Sequence, residues 1–301
     1  MTAIAACIIV YRADAEGLKR LITTIYDSDI SLSAIWSNTA LTPEITALAT
    51  QYKVHLIGTK ENLGVARALN GFAQWAHAHG AKWAIAFDED SQIDAKNLSA
   101  LISEFRNLKA AEIEAPKSPL AAMGPQLIDA RGHQPMPQFS PYGLIRKSLL
   151  PSHIADHLIT SAMLFDLQAY QAIGPFNESY FIDLVDIEWC LRARAQGFGL
   201  RVAQGAFLKQ RIGLKTHTIF GRSLYVHGPE RNYFMVRNAL WLIRFAPIRC
   251  SRRINEAMHL VLRIAHILIF GDGRVNRMRA IGRGVRSGLL KPAKSDRQTQ
   301  I

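Results

Sequence analysis

Over the first ninety positions, apolar and polar residues fall in blocks that switch between strand-like and helix-like spacing. Ala3 to Val10 is a continuous apolar run of strand length, and Leu18, Leu21, Ile22 and Ile25 then recur on one side of a helix from about Glu16 to Ile25. Leu32 to Trp36 is a second strand, after which Pro43 marks a helix start, where its missing N–H is harmless. Lys53 to Ile57 is a third strand, and the alanine-rich stretch Val65 to His77 is a helix that Gly80 terminates. The run from Trp83 leads into Asp88 as a fourth strand. Strands alternating with helices across short connections predict a mostly parallel sheet covered by helices.

Beyond Leu108 the pattern loosens, and prolines at 116, 119, 125, 135, 137, 141 and 151 interrupt it. The segment at about 109–157 is expected to form loops around a ligand, because long irregular stretches in compact enzymes usually do. Regular structure resumes with a strand over His157–Phe165, a short helix to Ile173, a helix from Asp183 to Gln196 and a strand over Leu200–Phe207. The C-terminal part is helical. Between Ile254 and Phe270 the polar residues Asn255, His259, Arg263 and His266 form one narrow stripe on an otherwise apolar helix, which must be buried in protein or in lipid headgroups. From Arg274 to Leu290, Val275, Met278, Ile281, Val285 and Leu289 share a face among five arginines. That pattern fits an interfacial helix attracted to anionic lipid, or equally a basic helix docked on the core.

Charge sharpens this division. Residues 244–301 hold 13 Lys and Arg against three acids, a net +10 of the total +12, which leaves +2 for residues 1–243. Two parts are therefore expected, a domain over 1–243 and a basic helical segment over 244–301. Positive charge confined to the tail argues against a nucleic-acid-binding surface. Three scattered cysteines, Cys7, Cys190 and Cys250, form neither a disulfide framework nor a zinc motif. No stretch reaches the roughly 18 apolar residues of a membrane span, so a cytoplasmic chain, peripheral at most to the inner face of the plasma membrane, is expected.

Candidate chemistry concentrates where the fourth strand ends. Asp88 and Asp90, at i and i+2 on an extended chain, point to one side at the end of a buried strand, where parallel sheets bind ligands. From the tripeptide alone a solvated acidic loop is the commoner reading, but a hard divalent cation on a pyrophosphate would suit the pair. Three further stretches accompany it. Asn62-Leu-Gly64 with Asn70-Gly71 is a glycine turn feeding a helix, whose N-terminal N–H groups can approach an anion. Asp183, Asp186 and Glu188 cluster at a helix start amid large apolar residues, more acids than helix capping requires. His217, Gly221-Arg222, His227, Arg231, Arg237 and Asn238 supply cations and hydrogen bonders suited to phosphate.

In this order, together with Ile8-Ile9-Val10-Tyr11, Ile159-Thr160-Ser161 and Gly174-Pro175-Phe176, the stretches resemble family 2 inverting glycosyltransferases. More narrowly they resemble the bacterial rhamnosyltransferases of surface-polysaccharide synthesis. Phe87-Asp88-Glu89-Asp90-Ser91 matches that group's Asp-Gln-Asp-Ser, with Glu in place of Gln. The resemblance spans about residues 4–245. It implies the glycosyltransferase A fold, a Rossmann-like α/β sheet flanked by helices, and transfer of L-rhamnose from dTDP-L-rhamnose to a polysaccharide or lipid-linked acceptor. It further implies Mg²⁺ or Mn²⁺ at Asp90 and Asp88, Asp186 as general base, and Tyr11, Asn38, Asn62, Gly64, Asn70, Asp88, Thr160, Ser161, Asp183, Arg231 and Arg237 around the donor and acceptor.

Two positions depart from the pattern. Ser37 precedes Asn38 where the family usually carries an aspartate against the nucleobase, and Arg12 follows Tyr11 where it often has asparagine. Both touch nucleotide recognition and leave the metal and base positions intact. The alternatives are a transferase for another sugar, such as galactofuranose or glucose, and a non-catalytic sugar-nucleotide or nucleic-acid binding protein.

Overall fold

The structure, a computed structural model, describes residues 3–114, 118–129, 153–210, 215–219, 222–226, 228–270 and 273–290. Much of the loop segment expected at 109–157, Gly221, His227, the side chains of His217 and Arg222, and everything beyond residue 290 lie outside the described residues.

Strand β1 (Ile4–Val10), helix α1 (Ala15–Tyr26), β2 (Leu32–Ser37), α2 (Pro43–Gln51), β3 (His55–Gly58), α3 (Gly64–Ala78) and β4 (Trp83–Asp88) follow the alternation expected from the sequence. Thr42 caps α2, with Pro43 in its first turn, and Asp14 caps α1. Next come α4 (Ala95–Glu114), β5 (Leu120–Asp129), β6 (Met163–Asp166), α5 (Leu167–Ile173), α6 (Val185–Ala195) and β7 (Gly199–Gln210). After the hairpin β8 (Lys215–Ile219) and β9 (Arg222–Val226), the last described elements are the helices α7 (Pro229–Phe245), α8 (Cys250–Phe270) and α9 (Arg274–Gly288).

Seven strands form one sheet in the order β3-β2-β1-β4-β6-β5-β7. All pairings are parallel except those of β6, which runs antiparallel to both β4 and β5. This is the mostly parallel α/β sheet expected from the alternation. Successive side chains of a strand point to opposite faces, and β1 shows it: Ala5, Cys7 and Ile9 enter one core cluster, Ile4, Ala6, Ile8 and Val10 the other. Helices α3, α5 and α6 cover the first face, and α1, α2 and α4 the second. Gly71 brings α3 against β2, since a Cβ there would sit 2.1 Å from the Trp36 ring.

Three expectations change. Leu120–Asp129 is a strand; Pro125 falls at its irregular register with β7, where a missing N–H costs no ladder bond. The strand expected over 157–165 shrinks to Met163–Asp166. Thr160 turns its backbone N–H to Asp186 and Ala162 takes a left-handed φ of 58°, so the chain cannot run extended there. Helix α6 starts at Val185, because Asp183 and Leu184 have φ of 65° and 64°.

The division expected after residue 243 falls in the last turn of α7. Helices α8 and α9 pack on α7 through Met235, Val236, Ala239, Leu260, Ile267 and Ile281. Among the described residues, no helix is long and apolar enough to cross a membrane.

Candidate functional site

Strand β4 delivers Asp88 to the carboxyl edge of the sheet, between β1 and β6. A tight turn follows: Ser91 N–H donates to the Asp88 carbonyl at 3.0 Å, and Asp88 N–H donates to Ser91 Oγ at 3.1 Å. The Ser161 hydroxyl donates to Asp88 Oδ2 from the bend before β6. Burial pushes the Asp88 carboxyl up to about 6, with the nearby charges of Asp90 and Asp186 adding to the rise and the Ser161 bond and Arg231 opposing it. Asp88 at the end of β4, Asp90 in the turn after it, Asp186 of α6 and Arg231 of α7 thus lie within reach of one another's charge.

Asp186 stands in the first turn of α6. Its Oδ2 accepts from Thr160 N–H at 2.9 Å and Thr160 Oγ1 at 3.3 Å, and its Oδ1 from Ile187 N–H at 2.8 Å. Burial raises its pKa, while those bonds and the nearby His157 restrain the rise. Such a group is fixed in orientation and more basic than an ordinary carboxylate, the combination a general base needs. Thr160 and Ser161 serve as holders of Asp186 and Asp88 respectively.

Arg231 grips Asp183 through Nε at 3.0 and 3.1 Å and through Nη2 at 2.7 Å. Asp183 belongs to a loop in which Phe181, Asp183 and Leu184 all have φ near +60°, a conformation each such residue adopts at a cost. Surrounding groups fix it. Asn238 Nδ2 donates to the carbonyls of Tyr180, Ile182 and Asp183 at 2.7–2.9 Å. Arg237 donates to Ser179 and Tyr180 carbonyls and stacks on Trp241 at 4.3 Å. Val65 N–H, at the N-terminus of α3, donates to Phe181 O at 2.6 Å.

These contacts redistribute the residues singled out from the sequence. The α3 N-terminus, expected to face an anion, faces the Phe181 carbonyl. Gly64 is required there because its φ is 83° and a Cβ would lie 2.5 Å from that oxygen. Asn62 Oδ1 accepts from Gly64 N–H at 3.2 Å. Asn70 is buried, holding the backbone of Phe176 through both ends of its amide and accepting from the Tyr170 hydroxyl. Arg237, placed from the sequence near phosphate, is buried against the loop carbonyls. Asn38 is buried at the end of β2, where it accepts from Trp36 Nε1 at 3.1 Å. Glu188 is committed to Arg192 at 2.7 Å.

Glu89 is the residue whose role the sequence left blank. Its carboxylate accepts from Tyr11 N–H at 2.7 Å and from Arg12 N–H at 2.9 Å, tying the end of β1 to the acidic turn. The exposed Tyr11 ring carries the Arg12 guanidinium at 5.0 Å. The signal was present as the odd middle acid of Asp88-Glu89-Asp90, but its partner is 78 residues away.

No family model matches the chain. A curated relative, the dTDP-rhamnosyl transferase RfbF of Shigella flexneri, is 27% identical over 285 residues, covering 91% of both proteins. Among solved structures, residues 1–349 of S. aureus TarS with UDP-GlcNAc superpose with a TM-score of 0.56 at 11% identity, covering 95% of this chain and 81% of that one. The same fragment with UDP gives 0.52. Against a longer TarS chain the TM-score is 0.55, and this protein spans 49% of its length. Fold and sequence relation agree with the resemblance: the chain has a glycosyltransferase-A-like α/β fold, as in the TarS structures, and is related along its length to a bacterial dTDP-rhamnosyl transferase.

Proposed function

We propose that the protein transfers L-rhamnose from dTDP-L-rhamnose to a hydroxyl of a polysaccharide or lipid-linked acceptor, with inversion at the anomeric carbon. The observation that carries the reading is the convergence of Asp88, Asp90, Asp186 and Arg231 at the carboxyl edge of the sheet. The curated relative supports rhamnose as the sugar. Asp186 takes the proton from the acceptor hydroxyl as its oxygen bonds to the anomeric carbon. The bond from that carbon to the diphosphate breaks, and the departing charge comes to rest near the Arg231 guanidinium.

Asp88 and Asp90 suit Mg²⁺ or Mn²⁺. They are two hard oxygen donors; burial chiefly raises the Asp88 pKa and the Asp90 charge adds to the rise, a repulsion that a cation would relieve. When bound, the cation stabilises negative charge on the leaving diphosphate. A lipid-linked acceptor would also bring the chain to a membrane surface, as its basic C-terminal segment favours.

The test is a panel of sugar nucleotides in thermal melts, with Mg²⁺ and with EDTA, since a ligand that binds only the folded state raises the melting temperature. dTDP-L-rhamnose with Mg²⁺ is expected to give the largest rise. A larger rise with a UDP-sugar overturns the donor assignment, and equal rises with Mg²⁺ and EDTA remove the metal.

A further inference from the structure

Helix α8 is mounted with its polar stripe toward the protein. Asn255 and His266 are buried, and the packed side also includes Leu260 and Ile267. On the opposite side Ile254, Met258, Val261 and Ile269 recur at helical spacing and are 63%, 42%, 65% and 59% exposed. Helix α9 repeats the arrangement. Its buried side, Ala280, Ile281, Gly284 and Gly288, lies on α7 so closely that a Cβ at Gly288 would come within 2.8 Å of Leu240. Its outward side presents Val275, Met278, Val285 and Leu289. Of the large apolar side chains exposed among the described residues, ten lie between Ile254 and Leu290. Concentration of that kind marks an interaction surface, whereas apolar residues exposed singly need no explanation.

The flanking charge selects the occupant. Helix α9 contains five arginines and no acid, and Arg274, Arg279, Arg283 and Arg286 are exposed. At about 100° per residue, Arg279, Arg283 and Arg286 border the apolar stripe on one side and Arg274 on the other. A symmetric dimer through this surface would set the patch against its own copy, arginine facing arginine, because a two-fold interface uses the same residues on both partners. An anionic bilayer faces no such conflict: apolar side chains enter the headgroup boundary while arginine stems reach the phosphates.

We propose that the outward faces of α8 and α9 form a docking surface for an anionic lipid bilayer. The proposal deepens the glycosyltransferase reading by naming the surface through which a lipid-linked acceptor is met. Its test needs neither donor nor turnover, so it can fail while that reading stands, and the reverse.

The test is co-sedimentation of the full chain with vesicles of phosphatidylcholine alone and of phosphatidylcholine mixed with phosphatidylglycerol. Wild-type protein should partition at least about tenfold more strongly onto the anionic vesicles, and less so as salt shortens the screening length. The double variants Val261→Glu/Val275→Glu and Arg279→Glu/Arg286→Glu should each lose about tenfold or more of that binding while melting as the wild type does, because all four side chains are exposed. Three results overturn the proposal. One is equal wild-type partitioning onto both vesicle types, and another is binding that survives both double variants. The third is a wild-type dimer, seen by sedimentation velocity, that ignores vesicles and dissociates in Val261→Glu/Val275→Glu.

Discussion

Asp186 and Asp88 are carboxylates in one site with different surroundings, and the difference assigns their work. Asp186 receives three hydrogen bonds, two of them from Thr160 and one from the backbone of Ile187, which aim it from the first turn of α6. Asp88 receives the Ser161 hydroxyl and shares its field with Asp90 and Asp186. Replacing Asp186 by Asn keeps the size and the acceptor oxygen for Thr160 but removes the basic site. Transfer by Asp186→Asn should fall by about 10²-fold or more, as loss of a general base does. Its melting-temperature rise with donor should be retained, because on this reading the donor diphosphate is held by Arg231 and by the cation that Asp88 and Asp90 would bind. Retention of most turnover would move the base elsewhere. Asp183 is a poor substitute, being held by Arg231 at 2.7 Å, as is Glu188, which is held by Arg192.

At the scale of elements, the segment from Ser179 to Leu184 explains why motifs distant in sequence recur together. Gly64 and Val65 of α3, Asn238 and Arg237 of α7, and Asp183 with Arg231 all meet on it. Gly64→Ala should destabilise the protein by about 2–4 kcal/mol, since it adds a left-handed φ penalty to a Cβ contact of 2.5 Å with a backbone oxygen that two helices fix. Urea unfolding measures the loss. A change below about 0.5 kcal/mol would show that the loop yields freely. The strand–helix alternation through β4 and the end of that strand at Asp88 were legible in the sequence because both depend on local periodicity. The sequence placed Asp88 and Asp90 on one extended chain, whereas the structure turns sharply between them, closed by Ser91. Asn70, Arg237 and Gly64 were recognised as important, and the structure shows each of them against the chain's own backbone. Residue type and spacing identify a buried hydrogen-bonding group, and only the tertiary fold shows whether it meets a ligand or a carbonyl of its own chain. Strand β5 was missed because Pro125 reads as a breaker, whereas the fold places it at an irregularity in the ladder. The polar stripe of α8 was seen, but its direction is a property of packing.

At the scale of the whole molecule, the C-terminal helices bear on the site through a charge network. Asp156 lies four residues before Thr160, which aims Asp186, and Arg252 of α8 reaches its Oδ2 while Arg194 of α6 lies 3.8 Å from Oδ1. Arg252 also binds Glu256 at 2.7 Å within its own helix. Burial alone would raise the Asp156 carboxyl; the His157 hydrogen bond, Arg252, Arg194 and the His157 charge together hold it below the usual carboxylate range. A carboxylate depressed in the folded state contributes stability above its unfolded pKa of about 4, and that contribution is lost as pH falls through the lower folded value. At neutral pH, Arg252→Met should therefore weaken the docking of α8 by about 3 kcal/mol, the low end for breaking a buried pair, because Arg194 and His157 still attend Asp156. Hydrogen exchange of the α8 amides reads this directly, and the gap between variant and wild type should narrow below about pH 4 as Asp156 takes up its proton. If α8 were held by its apolar contacts to α7 alone, the two proteins would exchange alike at neutral pH. A gap independent of pH would assign the loss to the packing of the Arg252 stem instead of its charge.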